Sequence, residues 1–156
     1  MSQAGWSLPA GRVDVPTARR AILLQHQQLR TLLKKARTVA DAALEGLPQV
    51  ADAVASSIGD IRTTIEIHLV FEERVLVPIL NDDLPLGPSR AETLLEEHQQ
   101  QRAMLAAIHG EARAHPELPT LAAKLAFLAS WLLDDMAAEE RELLAFETLR
   151  ESQPRS

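Results

Sequence analysis

Two short motifs in the 156-residue chain nearly repeat one another: His26-Gln-Gln-Leu-Arg30 and His98-Gln-Gln-Gln-Arg102. A second echo follows in each half, His68-Leu-Val-Phe-Glu72-Glu73-Arg74 in one and Asp135-Met-Ala-Ala-Glu139-Glu140-Arg141 in the other. The first pair is offset by 72 residues and the second by 67, so the halves differ by a five-residue change in loop length. His68 and Glu72 are four apart, as are Asp135 and Glu139, and on a helix each pair projects the same way from adjacent turns. Three such carboxylates packed together without a cation would repel and raise one another's pKa values. Two divalent cations remove that difficulty and use all six side chains. If Glu72 and Glu139 bridge, one metal takes His26 and His68 and the other takes His98 and Asp135, leaving about two open positions on each. Nitrogen and carboxylate ligands with open positions suit non-heme iron, with manganese or zinc as substitutes.

The remaining polar residues have plainer readings. Glu73 and Glu140 point away from the inward stripe and are expected to be solvated or paired with an arginine on a neighbouring turn. Arg102, matched by Arg30, is expected at the rim of the helix interface. His109 shares the face of His98 but lies three turns away, about 16 Å along the axis, outside the same site. His115 precedes Pro116 in a loop. Gln27, Gln28, Gln99 and Gln100 are expected on the surface, whereas Gln101 can face inward as a donor to a metal ligand. Trp6 is placed over one end of the bundle and Trp131 in its core.

Helices must position these groups. Apolar residues make up 46% of the chain but aromatics only 3%, with six glycines and no tyrosine, a composition that favours helix over sheet. Residues 1–15 read as an irregular arm, residues 16–150 as one bundle and residues 151–156 as a polar tail. Pro16 suits the first turn of a helix that stops at Gly46-Leu-Pro48. A second helix is predicted from about Gln49 to Asn81, with a kink or an end at Pro78. Asp82 to Pro88 is the longest breaker, after which Ser89 and Glu92 form a capping box for a third helix ending near His115-Pro116. Pro119-Thr120 opens a fourth, reaching about Arg150.

Each helix carries one apolar stripe. Ile22, Leu29, Leu33, Ala36 and Ala40 accompany His26; Val54, Ile58, Ile61, Ile65, Val75 and Ile79 flank His68 and Glu72. Leu94, Leu105, Ile108 and Ala112 surround His98, and Leu121, Leu125, Leu128, Trp131, Leu132, Leu143 and Phe146 surround Asp135 and Glu139. Short connections between long helices predict an all-α, antiparallel up-down-up-down four-helix bundle. With no cysteine, thiolate metal sites and disulfides are excluded. A net charge of −6 argues against a nucleic acid or an anionic membrane surface as partner. No apolar run has the length of a leader or a spanning helix, and a cytoplasmic protein is expected.

His26, His68-x-x-x-Glu72-Glu73-Arg74, His98 and x-x-x-Glu139-Glu140 together resemble the hemerythrin-like, His-His-Glu cation-binding family, over about residues 16 to 147. The resemblance implies a four-helix bundle holding a carboxylate-bridged di-iron centre that binds or reacts with dioxygen, or that senses oxygen or iron. Two positions depart from the oxygen carriers of that family: Arg102 stands where they have a second third-helix histidine, and Asp135 stands where they have a fourth-helix histidine. The added carboxylate favours the ferric state and points from oxygen carriage to reaction with dioxygen or peroxide, or to redox sensing. A non-catalytic iron-sensing or storage module, or a metal-free interaction scaffold, are the alternatives on the same residues.

Overall fold

The computed structural model describes residues 6–151, and Pro48 and residues 143–151 by their backbone alone. Four helices follow one another: α1 (Val15–Leu44), α2 (Ala51–Asp83), α3 (Gly87–Arg113) and α4 (Leu118–Glu151), with a single 3-10 turn (Pro48–Val50) before α2. No strand occurs among the described residues. α1 begins where its sequence dictates: the Asp14 carboxylate accepts from the Thr17 amide at 2.8 Å, and Pro16 occupies the first turn. It ends ahead of Gly46, whose φ of 90° lies in the left-handed region open to glycine.

The chain turns more tightly between the halves than its breakers predict. α2 runs through Pro78 to Asp83, and α3 starts at Gly87, so only Leu84, Pro85 and Leu86 connect them. Proline has no amide to donate to the preceding turn, but the apolar residues around it hold the helix on. Val75, Leu76, Ile79 and Leu80 are all buried. Ser89 is not the cap of α3. Leu86, at φ 58°, is the residue that precedes the helix, and Ser89 already lies inside its first turn. The reason is Gly87, which packs so closely on α2 that a Cβ there would fall 1.5 Å from the Leu80 carbonyl oxygen. That approach fixes the start of α3 two residues ahead of the capping-box signal.

α1 lies against both α2 and α4, and α2 lies against α3; α3 and α4 touch less closely. The inward stripes divide into two apolar clusters. One holds Leu29, Leu33, Ile61, Ile65, Leu105, Leu125 and Leu128 with Trp6 of the arm. The other holds Ile22, Phe71, Val75, Ile79 and Leu94. Between them on α1, α2 and α3 fall His26, His68, Glu72, His98 and Gln101, all buried. The side chains of Leu143 and Phe146, expected on the α4 stripe, lie outside the described residues. No described helix is long and apolar enough to cross a membrane.

Candidate metal centre

Four of the six residues singled out by the repeat meet in one place. His26 of α1, His68 and Glu72 of α2 and Glu139 of α4 each offer a ligand atom, and these atoms lie within 4.8 Å of one another. His98 of α3 approaches the same carboxylate, with Nε2 3.8 Å from Glu72 Oε1. Asp135 lies outside the group of four and is half-buried; its Oδ2 accepts from Gln101 Nε2 at 2.7 Å. Gln101 is buried and faces inward, with Asp135 as its acceptor.

Each histidine ring is oriented by a partner on its Nδ1 side. His26 Nδ1 donates to Glu140 Oε1 at 3.3 Å, and Arg30 grips both oxygens of Glu140. His98 Nδ1 donates to Glu73 Oε2 at 2.8 Å, and Arg102 grips both oxygens of Glu73 at 2.7 and 2.9 Å while its Nε also reaches Glu66. The twofold repeat thus extends to two His–Glu–Arg chains, each taking its histidine and arginine from one half and its glutamate from the other. Glu73 and Glu140 pair with arginines of facing helices rather than of a neighbouring turn, and they also hold the histidines. His68 Nδ1 donates to Gln25 Oε1 at 2.7 Å. Carboxylate and amide oxygens can only accept, so all three histidines carry their proton on Nδ1 and leave the Nε2 lone pair toward the interior.

Gln25 had no signal in the repeat, and it sits between exposed Leu24 and buried His26. It is nevertheless fully buried, because α1 packs on two helices at once and its inward face is wider than one stripe. Trp6, buried in the first cluster, meets the His68 ring edge-on at a centroid distance of 6.1 Å and donates from Nε1 to Gln28. His109 is bound to Arg62 at 2.7 Å and takes no part in the centre, and His115 is exposed at a φ of 56°.

Burial dominates the electrostatics. It drives the His26 pKa down to about 3, helped by the neighbouring His68, and lowers His68 and His98 as well, so all three are neutral near pH 7. Burial pushes Glu72 up to about 7 and Glu139 well above the carboxylate range, the latter also by the charge of Glu72. Asp135 is raised by burial. Burial also works against ionised Glu73, but its bonds to Arg102 and His98 outweigh that and hold it low; Arg30 holds Glu140 low.

What a cation would find here is a set of buried atoms without partners: His26 Nε2, both oxygens of Glu72 and Glu139 Oε1. His68 Nε2 stands 2.6 Å from Glu72 Oε1, lone pair facing lone pair, an approach that is repulsive unless a cation or proton lies between. Imidazole nitrogen and carboxylate oxygen are the donors that iron, manganese and zinc accept. The donor set fits a metal. A family model for the hemerythrin HHE cation-binding domain matches residues 17–146. The chain belongs to the hemerythrin family. No curated protein and no solved structure gives a significant match to it.

Membership supplies the cation-binding character, and the His–Glu–Arg chains are this domain's own means of aiming its histidines. Carboxylates that orient metal-bound histidines typically contribute about 10–100-fold to metal affinity. Glu140→Gln is therefore expected to weaken binding about tenfold, with Glu73→Gln acting similarly through His98. Competition titration against a chromophoric chelator measures this, and an unchanged Kd in both variants would remove the orienting role.

Proposed function

We propose that this hemerythrin domain holds two iron ions per chain in a carboxylate-bridged centre that reacts with dioxygen or peroxide. The carrying observation is the convergence of His26, His68, Glu72 and Glu139 with their inward atoms unpartnered. In this reading Glu72 and Glu139 bridge, His26 and His68 serve one ion, and His98 and Asp135 complete the other. The hydrogen bond from Gln101 anchors one oxygen of Asp135 and leaves the second for a metal.

The bound irons would supply one-electron steps toward dioxygen or peroxide, and the protein's part is to hold and shield them. Arg30 and Arg102 keep Glu140 and Glu73 ionised, which fixes the imidazole tautomers. Trp6 and the apolar clusters on either side exclude bulk water from the histidines. A metal-free scaffold is disfavoured by the same buried carboxylates, since two acids in contact with no cation weaken the fold they sit in.

Protein purified without chelators and reconstituted anaerobically with ferrous iron should carry about two irons per chain, the two-metal arrangement expected of such a carboxylate cluster. Exposure to air should then give near-ultraviolet and visible absorption of ferric iron bound to oxygen ligands. A chain that retains no iron after desalting would overturn the reading. One that binds iron but oxidises with neither dioxygen nor peroxide would reduce it to a storage or sensing module.

A further inference from the structure

A cavity of about 260 Å³ is lined by residues of α2, α3 and α4, with Glu139 among them. Leu76, Leu80 and Leu94 form its apolar wall. Glu97 of α3 and Glu142 of α4, both exposed, stand in the lining with Glu139. Exposure falls stepwise inward: Glu97 and Glu142 face solvent, Asp135 is half-buried, the Glu139 side chain is 12% exposed and that of Glu72 is 1% exposed. Among the described lining residues Arg90 is the one cation, against three carboxylates. We propose that this cavity is the port through which a divalent metal cation enters the centre, with Glu97 and Glu142 as its collecting mouth and Asp135 beside the path.

The inference rests on the metal-binding reading above and adds a route and a selectivity to it. Glu97, Glu142 and Glu139 line one cavity, and like charges gathered in this way repel one another. Such mutual repulsion is relieved by a passing cation and aggravated by an anion. The apolar wall gives a low-dielectric flank that strengthens the field along the cavity. Glu139 Oε1, buried and unpartnered, is the first acceptor waiting at the inner end. On other sides the His–Glu–Arg chains stand at His26 and His98, and Trp6 stands at His68.

The test uses cobalt(II) as an air-stable probe, added to metal-free full-length protein and followed by its visible absorption in a stopped-flow instrument. The double variant Glu97→Gln/Glu142→Gln should take up cobalt about tenfold more slowly at low ionic strength, with a flatter dependence on salt and the same final metal content. Thr93→Trp, a bulky substitution at an exposed position of the lining, should slow uptake by obstruction, with no change in salt dependence. Uptake in both variants at the unmutated rate would overturn the port while leaving the centre intact. Loss of final metal content in the double variant would also overturn it, because Glu97 and Glu142 would then be ligands. No uptake by the unmutated protein would overturn the metal reading, and the port with it.

Discussion

Glu72→Gln is expected to move the metal-free and metal-loaded proteins in opposite directions. In the metal-free protein Glu72 is almost fully buried with neither oxygen hydrogen-bonded. Its pKa rises from 4.5 to about 7 on folding. A carboxyl with a raised folded pKa binds its proton more tightly in the native state, so its cost is absent below about pH 4.5, grows through the window and is fully present above about pH 7. At pH 8 the cost is on the order of 3 kcal/mol. The glutamine variant escapes most of it, and its metal-free form should melt about 5 °C higher at pH 8 but near the unmutated value at pH 5. With metal present the order reverses. Free metal at about a thousand times Kd stabilises the unmutated chain by roughly 4 kcal/mol, whereas the variant lacks the carboxylate proposed to bridge and gains little. Differential scanning fluorimetry with and without metal, paired with metal analysis, reads both effects. Full metal content in the variant would remove Glu72 from the centre, and a lower metal-free melting point at pH 8 would contradict its buried charge.

The two-sided response reflects a division that was legible in the chain before any coordinates. Helix periodicity alone put His26, His68, Glu72 and His98 on inward stripes, and all four are buried. It could do so because the residues flanking them are Ile, Leu and Val at helical spacing, and a long helix with one apolar stripe has one face to bury. The same periodicity misplaced what depends on contacts between helices. The three-residue turn at Leu84, Pro85 and Leu86 exists because Gly87 lets α3 approach the Leu80 carbonyl, a contact between residues whose spacing carries no signal. Gln25 escaped notice because a residue 100° from the stripe is buried only when its helix packs on two neighbours. Glu73 and Glu140 meet arginines of facing helices, not of a neighbouring turn, and those bonds, like the ones to His98 and His26, depend on which helix faces which. Asp135 is the instructive case. The repeat aligns it with His68, yet its only described hydrogen bond is to Gln101, as His68 is held by Gln25.

That parallel decides what Asp135→His should do. His68 donates from Nδ1 to the Gln25 amide oxygen, and the Gln101 amide needs only to turn over to offer the same acceptor to a histidine at 135. The variant would then present a neutral Nε2 where the unmutated protein presents a carboxylate. An anion beside iron stabilises the ferric ion more than the ferrous one, and one unit of charge at about 4 Å is worth roughly 4 kcal/mol at an effective dielectric of about 20. Part of that difference is realised in the barrier to losing an electron, so the reduced iron-loaded variant should oxidise in oxygenated buffer at least roughly tenfold more slowly. Stopped-flow absorption of both proteins, reduced and anaerobically loaded to equal iron content, makes the comparison. Glu72→Gln tests whether a centre forms; this substitution tests how its charge tunes the reaction with dioxygen. Equal oxidation rates at equal iron content would place Asp135 outside the reacting centre and leave His98 and Glu139 as the second half's contribution to the proposed centre.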